Sequence, residues 1–474
     1  MNLTPKSKNV SKWYNEVILK AELADYSPVK GCMVIRPDGY SIWENVQRIF
    51  DAEIKKAGVR NAYFPIFIPM SFLEKEKEHA KGFSPELAVV TKGGGEDLAE
   101  PLAVRPTSET IMYHQFSKWI QSYRDLPMKI NQWNNVVRWE KRTYLFMRTT
   151  EFLWQEAHTA HATHKEAVEE AERALKSYID LYKNHFAIYG IAGIKSKSEK
   201  FAGAEKTYTY EVLLPGGKAL QAGTTHDLGQ NFSKPFEVNF TDKNGKLDYV
   251  WQTSWGLSTR SIGGLILTHG DDNGLVIPPD LAYLQIVIVP VLSKSKEDTE
   301  LISKSWEIKA NLEKIYRVGL DERQEHTYGW KLNELELKGI PVRIELGKKE
   351  IEEQSATVYR RDLGTKEKVK FNNLEKYIEI LLKDIQDGLF EKSREFTKAN
   401  THRVGAYDQF KEIMRTSRGF IEAFWCESED CEMKIKEETK ATTRCLPLDA
   451  KTEKGKCIYC GKESSRRWVF AQAY

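Results

Sequence analysis

The chain has 474 residues, 41% hydrophobic and 29% charged, which is typical of an ordinary globular protein with room for roughly two to four domains. Its 71 basic and 68 acidic residues give a net charge of +3, which lacks the basic excess of an electrostatic nucleic-acid binder. Charge therefore neither supports nor excludes an RNA partner. No run of about eighteen apolar residues occurs, and residues 1–20 lack the apolar core of a signal peptide, so nothing predicts export or a membrane.

The cysteines are few and unevenly distributed. Of six, five come after residue 425, and Cys32 stands alone near the N-terminus. A disulfide framework is typical of smaller secreted chains with cysteines spread through them. We therefore expect a reduced, cytoplasmic protein.

Hydrophobic spacing predicts five elements before residue 70. They are a helix over 8–24, a strand over 32–35, a turn over 37–39, a helix from about Tyr40 that ends at Gly58, and a strand over 61–68. Pro65 interrupts the last strand. Because proline donates no ladder hydrogen bond, it belongs at a sheet edge or an interface.

Two short motifs follow. Thr91–Gly95 is predicted to be a hairpin turn rather than a phosphate loop, because it lacks the Gly-Lys-Ser/Thr ending and no helix pattern follows. Pro106 then opens a predicted helix that runs to Trp119, with Thr107 or Ser108 as its N-cap.

The most informative stretch runs from Asn131 to His161 and is predicted to be two strands joined by a charged loop. Alternation gives each strand one face of mixed character: Val136, Arg138 and Glu140 on the first, and Phe152, Trp154, Glu156 and His158 on the second. Buried charges are costly unless a partner satisfies them. The aromatic residues argue against an exposed ribbon, so we expect these charges to meet a charged ligand.

The next region is predicted to contain a helix over 166–188, a strand over 208–214, a turn over 215–217 and a returning strand over 218–223. The segment Gln221–Phe232 carries His226 among glycines and threonines. Arg260 is predicted to lie at the start of an apolar helix that begins near Leu257. Its glycine-rich, apolar neighbours favour a buried role.

Pro278–Pro279 marks a predicted domain boundary. Beyond it, strands over 285–291 and 340–346 alternate with helices over 297–318 and 373–387, an order typical of an α/β domain. Five charged residues are candidates for a binding surface there, although charged residues are more often simply solvated: Arg343, Glu345, Lys348, Arg360 and Arg361.

The composition changes again from about Asn400. Cys426-x4-Cys431 and Cys457-x2-Cys460 form two close pairs separated by 25 residues. This spacing predicts a closed, structural zinc site, with Cys445 as a fifth thiol able to substitute, and it disfavours unrelated free cysteines. A rival metal site at His158, His161 and His164 is disfavoured, because the first lies in a strand and the last begins a helix.

Several of these stretches together resemble a known family. The Arg138-Trp-Glu strand, the loop with Arg148 and the following Thr-Glu-Phe resemble motif 2 of the class II aminoacyl-tRNA synthetases. The order around Pro65 resembles motif 1, and the helix at Arg260 resembles motif 3. Prolyl-tRNA synthetases of the archaeal and eukaryotic type contain segments similar to RPTSET (105–110), TEFLWQEAH (150–158) and QAGTTHDLGQNF (221–232). Archaeal-type members end in a zinc-binding domain whose last residue is a tyrosine, and the last residue here is Tyr474.

The resemblance implies an α+β fold in three parts. These are a class II catalytic domain with an antiparallel sheet and flanking helices (1–277), an α/β anticodon-binding domain (278–395) and a small zinc-binding α+β domain (396–474). It implies ATP-dependent activation of L-proline to prolyl-adenylate, transfer to the 3′ end of tRNA(Pro), and a need for Mg²⁺ and structural Zn²⁺. It also implies a cytoplasmic homodimer with motif 1 at its interface and no membrane association.

The family motifs, matched position by position, imply the roles of individual residues. Arg138 and Arg260 are the expected catalytic residues. The expected proline pocket comprises Phe83, Thr107, Glu109, Arg138, Trp154, Glu156, His158 and His226. The expected nucleotide site comprises Arg138, Glu140, Arg148, Thr149, Phe152, Gln221, Thr224, Ser258 and Arg260, with Phe152 and Arg260 enclosing the adenine and Gln221 facing Mg²⁺.

No segment between Arg138 and Arg260 is long enough for the editing domain that the bacterial type inserts there. We also expect misactivation of alanine and cysteine, because an apolar pocket rejects a smaller ligand by only about 1–3 kcal/mol. Two alternatives remain open. One is an enzyme of the same architecture that charges another amino acid such as threonine. The other is a non-catalytic tRNA-binding or regulatory relative, which the retention of every charged motif position disfavours.

Overall fold

The computed structural model describes residues 3–79, 87–140, 142–292 and 298–474, with the backbone alone for residues 75–79. Up to residue 137 the elements are α1 (Val10–Lys20), β1 (Ala24–Tyr26), β2 (Met33–Ile35), α2 (Pro37–Lys56), β3 (Arg60–Asn61), β4 (Phe67–Pro69), α3 (Met70–His79), β5 (Val89–Gly93), β6 (Glu96–Val104), α4 (Glu109–Trp119) and β7 (Met128–Val137). The predicted hairpin turn at Thr91–Gly95 is confirmed, since β5 pairs with β6 around it.

Two predictions in this region are wrong in detail. The predicted turn over 37–39 is the first turn of α2, because proline at the first helical position forfeits no hydrogen bond. The predicted strand over 61–68 is divided between two sheets. Its first part, β3, pairs with β7, and its last part, β4, pairs with β6, while Pro65 lies exposed between them.

From residue 138 to 277 the elements are β8 (Glu151–His161), α5 (His164–Asn184), β9 (Gly190–Ile194), β10 (Lys206–Leu213), β11 (Lys218–Gly229), β12 (Asn239–Thr241), β13 (Leu247–Tyr249), β14 (Trp251–Ser258) and α6 (Arg260–His269). The two strands predicted within residues 131–161 are confirmed as β7 and β8. The first strand ends at Val137, however, so Arg138 and Glu140 lie in the connecting loop rather than on the strand as predicted. The apolar helix starts at Arg260 rather than near Leu257, which is a buried residue of β14.

From residue 278 to 399 the elements are β15 (Ile286–Pro290), α7 (Asp298–Leu312), β16 (Val318–Leu320), α8 (Tyr328–Leu337), β17 (Val342–Leu346), α9 (Lys348–Glu352), β18 (Ser355–Arg360), β19 (Thr365–Lys370) and α10 (Leu374–Ala399). The sheet order is β16–β15–β17–β18–β19, with the first three strands parallel. The predicted α/β pattern is confirmed, although α7 ends at Leu312 and Val318 begins a strand. The last helix continues beyond the predicted end at residue 387.

The remaining elements are β20 (Thr401–Arg403), α11 (Tyr407–Arg415), β21 (Phe420–Phe424), α12 (Glu429–Thr439), β22 (Ala441–Pro447), β23 (Gly455–Lys456), β24 (Glu463–Ser464) and β25 (Arg467–Ala473). The mixture of helices and sheets agrees with the predicted α+β class. Among the helices of the described ranges, none combines the length and the apolar character needed to cross a bilayer.

A large sheet joins the first and last parts of the chain. In the described residues its eleven strands follow the order β20–β21–β25–β22–β9–β10–β11–β14–β8–β7–β3. The junction is made by β22 against β9 and by β25 against β11. Across it, the buried Glu211 of β10 pairs with Lys195 (2.7 Å) and with Arg444 of β22 (2.6 Å). The C-terminal segment is therefore continuous with the sheet of the candidate site.

One face of the central strands forms the main hydrophobic core. Trp255 of β14 and Ala157 of β8 belong to the same buried cluster as Tyr178 of α5 and Phe50 of α2. Phe50 and Tyr178 stack with ring centroids 5.2 Å apart. Because side chains alternate along a strand, residues before and after these point to the opposite face, where the candidate site lies.

Candidate active site

The candidate site occupies one face of four neighbouring strands, β11, β14, β8 and β7. Residues paired directly across antiparallel strands point to the same face, so the register fixes which side chains meet. Three rows running from β7 through β8 to β14 are Asn134–Trp154–Ser258, Gln132–Glu156–Gly256 and Ile130–His158–Ser254. The last two rows continue in β11 to Thr224 and His226. The sheet thus brings the predicted residues of three separate motifs together.

Glu156 is a buried carboxylate held by hydrogen-bond donors. Its Oε1 accepts from the Ser108 hydroxyl and from Asn134 Nδ2 (2.5 Å), and its Oε2 accepts from the Ser108 amide (3.2 Å). His158 Nε2 lies 3.5 Å from Oε2. Burial alone would raise the pKa of Glu156, but His158, Ser108 and Asn134 together hold it at about 2. Glu156 is therefore ionised at neutral pH.

The start of α4 serves this network instead of capping its own helix. Ser108 occupies the N-cap position, but no side-chain hydrogen bond caps the helix. Its hydroxyl donates to Glu156, and the Thr107 hydroxyl donates to Glu109. The predicted side-chain cap is therefore wrong, because each hydroxyl is committed to a buried carboxylate that needs a donor. Both carboxylates and Thr107 are buried.

Arg138 lies between these carboxylates and a second, more open region. Its Nε donates to the Pro106 carbonyl (3.0 Å), and its guanidinium carbon lies 5.6 Å from the Phe152 ring centroid and 5.4 Å from that of Trp154. Burial lowers the pKa of Arg138, and the nearby carboxylates, with Glu109 the strongest, partly offset this effect. The guanidinium is thus a desolvated cation held by a carbonyl and two rings.

Two histidines of the same row differ in environment. His158 is buried, and its Nδ1 shares a hydrogen bond with the Tyr113 hydroxyl (2.9 Å). His226 shares a hydrogen bond with the Thr207 hydroxyl (3.0 Å), and its ring centroid lies 4.6 Å from that of Phe201. Burial and then the charge of His158 lower the pKa of His226 to about 3. His226 is therefore a neutral ring at physiological pH.

An open cleft adjoins Arg138. It is lined by Arg138, Glu140, Phe146, Met147, Arg148, Thr149, Phe152, Ser258 and Arg260. Arg148 pairs with Glu140 (2.7 Å), and Arg260 Nε donates to the Met147 carbonyl (2.9 Å). Arg260 is exposed to the cleft, so the predicted buried role is wrong. The surrounding cleft walls still desolvate its guanidinium and lower its pKa, and the charges of Arg138 and Arg148 act in the same direction. The cleft therefore concentrates cations that have few carboxylate partners.

Two residues predicted for the nucleotide site lie outside this cleft. Thr224 is buried in β11, in the row of Glu156, and Gln221 is exposed nearer the start of the same strand; neither lines the cleft. Phe83, expected in the proline pocket, lies outside the described residues.

Sequence reasoning missed several residues of the site. Asn134 and Tyr113 could have been found, because strand alternation puts Asn134 two places from Val136, and helical spacing puts Tyr113 four places after Glu109. Ser254 also shares the row of His158, and its buried hydroxyl has no hydrogen-bond partner. Met147 accepts the hydrogen bond from Arg260 through its backbone carbonyl, and every residue has a carbonyl, so the sequence gives no signal for this contact.

The four predicted metal-ligand thiols converge. Cys426 Sγ lies 3.7 Å from the Sγ atoms of both Cys431 and Cys460, and these three together with Cys457 have all four Sγ atoms within 4.8 Å of one another. A tetrahedron with Zn–S bonds of about 2.3 Å has edges of about 3.8 Å, so the thiols fit zinc. Cys445 is buried in another cluster, with Leu213 and Val469, and does not join them.

The three histidines weighed as a rival metal site do not converge. His161 lies three places after His158, so it points to the other face of β8, where its Nε2 shares a hydrogen bond with the Thr159 hydroxyl (2.8 Å). His164 lies instead beside Asp227 and Glu205, with Nε2 2.8 Å and 3.6 Å from their carboxylates.

The charged candidates of the α/β region are mostly engaged in ion pairs. Arg343 pairs with Glu345, and Arg361 pairs with Asp271. The predicted surface residues Arg343, Glu345 and Arg361 are all buried. Arg360 pairs with Asp362 and Asp384, and Lys348 is exposed. The expectation of an exposed surface is therefore wrong for Arg343, Glu345 and Arg361, because each completes a buried pair.

Three family models match the chain. They are the tRNA synthetase class II core domain (G, H, P, S and T) over residues 91–269, the anticodon binding domain over 285–381, and the prolyl-tRNA synthetase C-terminal domain over 407–474.

Known proteins are similar to the chain over its whole length. A proline–tRNA ligase of Natranaerobius thermophilus is 50% identical, with 100% of this chain and 98% of the relative covered. One of Amoebophilus asiaticus is 49% identical, with 100% and 99% covered. The crystal structure of prolyl-tRNA synthetase from Cryptosporidium parvum complexed with halofuginone and AMPPNP is 44% identical, with a TM-score of 0.95 and 99% of each chain covered.

Proposed function

The chain belongs to the prolyl-tRNA synthetase family, and we propose that Arg138 and Arg260 support its two-step ligation of L-proline to tRNA(Pro). In the first step the proline carboxylate attacks the α-phosphorus of ATP, giving prolyl-adenylate and pyrophosphate. In the second, a terminal ribose hydroxyl of the tRNA takes the prolyl group and AMP leaves. Phosphoryl transfer is catalysed mainly by positioning and charge stabilisation, so the groups that hold the reactants matter most.

The position of Arg138 carries this proposal. Its guanidinium faces buried carboxylates on one side and lines the cationic cleft on the other. A planar fork of donors can hold a carboxylate oxygen and a phosphate oxygen together. Arg138 would therefore bring the proline carboxylate to the α-phosphate and stabilise the charge that develops between them.

The carboxylate side suits proline. The secondary ammonium of proline needs acceptors, which Thr107 and Glu109 offer, and its ring needs a flat apolar wall, which Trp154 offers. Phe83 would add a second wall. Glu156, His158 and the neutral His226 would complete the pocket, with Glu156 fixing the geometry through its hydrogen bonds to Ser108 and Asn134.

The cleft suits the nucleotide. Phe152 and Arg260 would enclose the adenine ring through stacking and cation–π contact, and Arg148 beside Glu140 would meet the outer phosphates. Thr149, Ser258 and Thr224 would add hydrogen bonds. The AMPPNP of the Cryptosporidium parvum complex, an ATP analogue, supports a nucleotide site on this fold. Enzymes of this class use ATP with Mg²⁺, which neutralises phosphate charge when bound, and Gln221 would offer it an amide oxygen.

The rest of the chain would serve the tRNA and the stability of the fold. We propose domains over 1–277, 278–395 and 396–474, which contain the three matched family models. The second boundary falls inside α10. The Cys426–Cys460 cluster would hold a structural Zn²⁺, which requires the reduced thiols of a cytoplasmic protein. A homodimer would use the segment around Pro65, where Tyr63 and Phe67 are 75% and 46% exposed.

Two finer features of the activity are also proposed. Alanine and cysteine would be misactivated, because both are smaller than proline and would fit the same pocket. They would lose only the contacts that the proline ring makes, which costs about 1–3 kcal/mol of binding free energy. No editing domain would lie between Arg138 and Arg260, since the described elements of that interval are five strands of the large sheet, helix α5 and the short hairpin of β12 and β13.

Proline-dependent exchange of pyrophosphate with ATP tests the proposal directly. With each of the twenty amino acids, we expect the highest kcat/KM for proline, weaker exchange with alanine and cysteine, and none with threonine. Arg138→Ala should lose roughly 3 kcal/mol of transition-state stabilisation, which is on the order of 100-fold. Arg138→Lys keeps the charge but loses the planar fork of donors, so its exchange rate should lie between those of the wild type and Arg138→Ala. Exchange unchanged in Arg138→Ala would contradict the proposed role of this residue.

A further inference from the structure

Helix α6 connects the candidate active site to the α/β region. Arg260, its first residue, lines the nucleotide cleft, and the helix ends at His269. Gly270 and Asp271 follow immediately, so the position of Asp271 constrains the end of the helix.

Asp271 is bound by an arginine of the region that matches the anticodon-binding model. Arg361 donates from Nη1 to Asp271 Oδ2 (2.7 Å) and from Nη2 to Oδ1 (2.6 Å), a bidentate pair. Arg361 is only 3% exposed, and its Nε donates to the Glu336 carbonyl (3.0 Å). Its own amide donates to the Pro341 carbonyl (3.0 Å). The guanidinium is therefore fixed within the α/β region and fixes Asp271 in turn.

A second cation holds the same helix end. Lys6 Nζ donates to the carbonyls of Leu267 (2.7 Å) and Gly270 (2.6 Å), which α6 leaves without helical partners. Its amide donates to the Asp272 carboxylate (2.7 Å). A cation is favourable at a helix C-terminus, so Lys6 stabilises the helix. Lys6 belongs to the catalytic region, however, and Arg361 is the cation that comes from the α/β region.

We propose that Arg361 is a positioning residue for adenylate formation, holding helix α6 through Asp271 so that Arg260 stands correctly in the nucleotide cleft. Arg361 would act only through Asp271 and the helix, without touching a substrate. This inference rests on the proposed nucleotide role of Arg260.

The geometry makes the effect measurable. A ten-residue helix is a stiff rod of about 15 Å, so a tilt of about 4° moves one end by about 1 Å relative to the other. A misplacement of that size can cost on the order of 100-fold in rate even when it originates far from the chemistry. Partial loosening by loss of one ion pair should cost less, and we expect about tenfold.

The chain offers a matched control. Lys338, also in the α/β region, pairs with Glu22 and with Asp38 at the start of α2, each at 3.0 Å. This pair joins the same two regions but does not involve α6. Lys338→Gln should therefore loosen the junction to a similar degree without displacing Arg260.

The test is tRNA-free pyrophosphate exchange with the zinc-loaded full chain, normalised to active sites by titration. In Arg361→Gln we expect kcat to fall and the KM for ATP to rise, together lowering kcat/KM for ATP about tenfold. The KM for proline should stay within twofold. Asp271→Asn should behave alike, the double variant should be no worse than either single one, and Arg361→Lys should recover part of the loss. Lys338→Gln should leave all these values within twofold.

The outcomes separate the possible failures. Normal per-site kinetics in Arg361→Gln with a lower Tm would overturn the proposal, because Arg361 would then only stabilise the fold. An equal loss in Lys338→Gln would also overturn it, since general loosening would be the cause. If Arg361→Gln does not fold, unchanged per-site kinetics in the folded Arg361→Lys and Asp271→Asn variants would overturn it equally. Full exchange in Arg260→Ala would instead refute the proposed role of Arg260 itself.

Discussion

The proposed proline pocket and the proposed nucleotide cleft are adjacent, yet they handle charge in opposite ways. In the pocket, the buried Glu156 is surrounded by donors from Ser108, Asn134 and His158 before any ligand enters. In the cleft, Arg138 and Arg260 have backbone carbonyls as partners for their Nε atoms, and the charge of Arg138 lowers the pKa of Arg260. One region is internally neutralised, and the other carries an excess of positive charge, with Glu140 as the one carboxylate beside three arginines in the lining that the structure describes.

This difference indicates what each region can recognise. A satisfied carboxylate network keeps a pocket rigid and suits a small, fixed ligand. A group of cations with few counter-charges favours a polyanion, because bringing phosphates to it relieves like-charge repulsion. Arg138 belongs to both regions, which is why it can join a carboxylate to a phosphate.

The largest expected effect tests the cleft. Arg260→Ala should lower kcat/KM for ATP by an amount equivalent to roughly 3–4 kcal/mol of transition-state stabilisation, as expected for loss of a preorganised charge facing the transition state. The KM for proline should hardly change, because Arg260 lies on the nucleotide side. Pyrophosphate exchange at varied ATP and varied proline measures both. An equal rise in the KM values for ATP and for proline would show that the regions are not separable in this way.

The pocket should respond in stability as well as in binding. Glu156→Ala removes a buried acceptor from Ser108 and Asn134 and should destabilise the fold by roughly 3 kcal/mol, while raising the KM for proline. The matched change in the cleft, Glu140→Gln, breaks the more exposed pair with Arg148 and should alter stability by no more than about 0.5 kcal/mol. Urea unfolding of both variants checks the contrast, and similar losses would remove it.

The two regions should also differ in their response to acid. His226 has its folded pKa lowered to about 3 by burial and by His158, below its ordinary value near 6.5. The unfolded chain therefore binds more protons between these values, so the stability from His226 is complete above pH 6.5 and is lost as the pH falls towards 3. Between pH 7 and pH 5 this loss is about 2 kcal/mol.

The contribution of Glu156 to stability changes only at lower pH, because its folded pKa of about 2 lies below the ordinary value of 4.5. Its contribution is present above pH 4.5 and is lost as the pH falls towards 2. From pH 7 to pH 5, urea midpoints should therefore fall less steeply in His226→Gln than in the wild type and should keep the wild-type slope in Glu156→Gln. The fall that remains in His226→Gln comes from other buried histidines such as His161 and His269, whose pKa values are lowered to about 4. The reverse pattern would contradict the assignment of the two groups.

The smallest expected effect concerns the hydrogen bond by which Tyr113 holds His158 in the pocket. Tyr113→Phe removes the hydrogen bond to His158 and should cost about 1 kcal/mol of stability. The KM for proline should rise two- to threefold because His158 also faces Glu156, and the KM for ATP should not change. A change in the KM for ATP alone would contradict the assignment of Tyr113 to the proposed proline pocket.

The sequence determined much of the site through local periodicity. A strand repeats every two residues, so Trp154, Glu156 and His158 had to share a face, and the same rule would have added Asn134. The spacing of Cys426, Cys431, Cys457 and Cys460 predicted a cluster that the fold brings together. Family-like motifs around Arg138 and Arg260 indicated a common site.

Only the tertiary structure decided which distant groups meet. The Ser108 hydroxyl binds Glu156 rather than its own helix, Arg361 is buried against Asp271 rather than exposed, and the C-terminal strands extend the catalytic sheet. Periodicity fixes the direction in which a side chain points. Its partner depends on strand register and on the packing of segments hundreds of residues apart, and no local pattern contains that information.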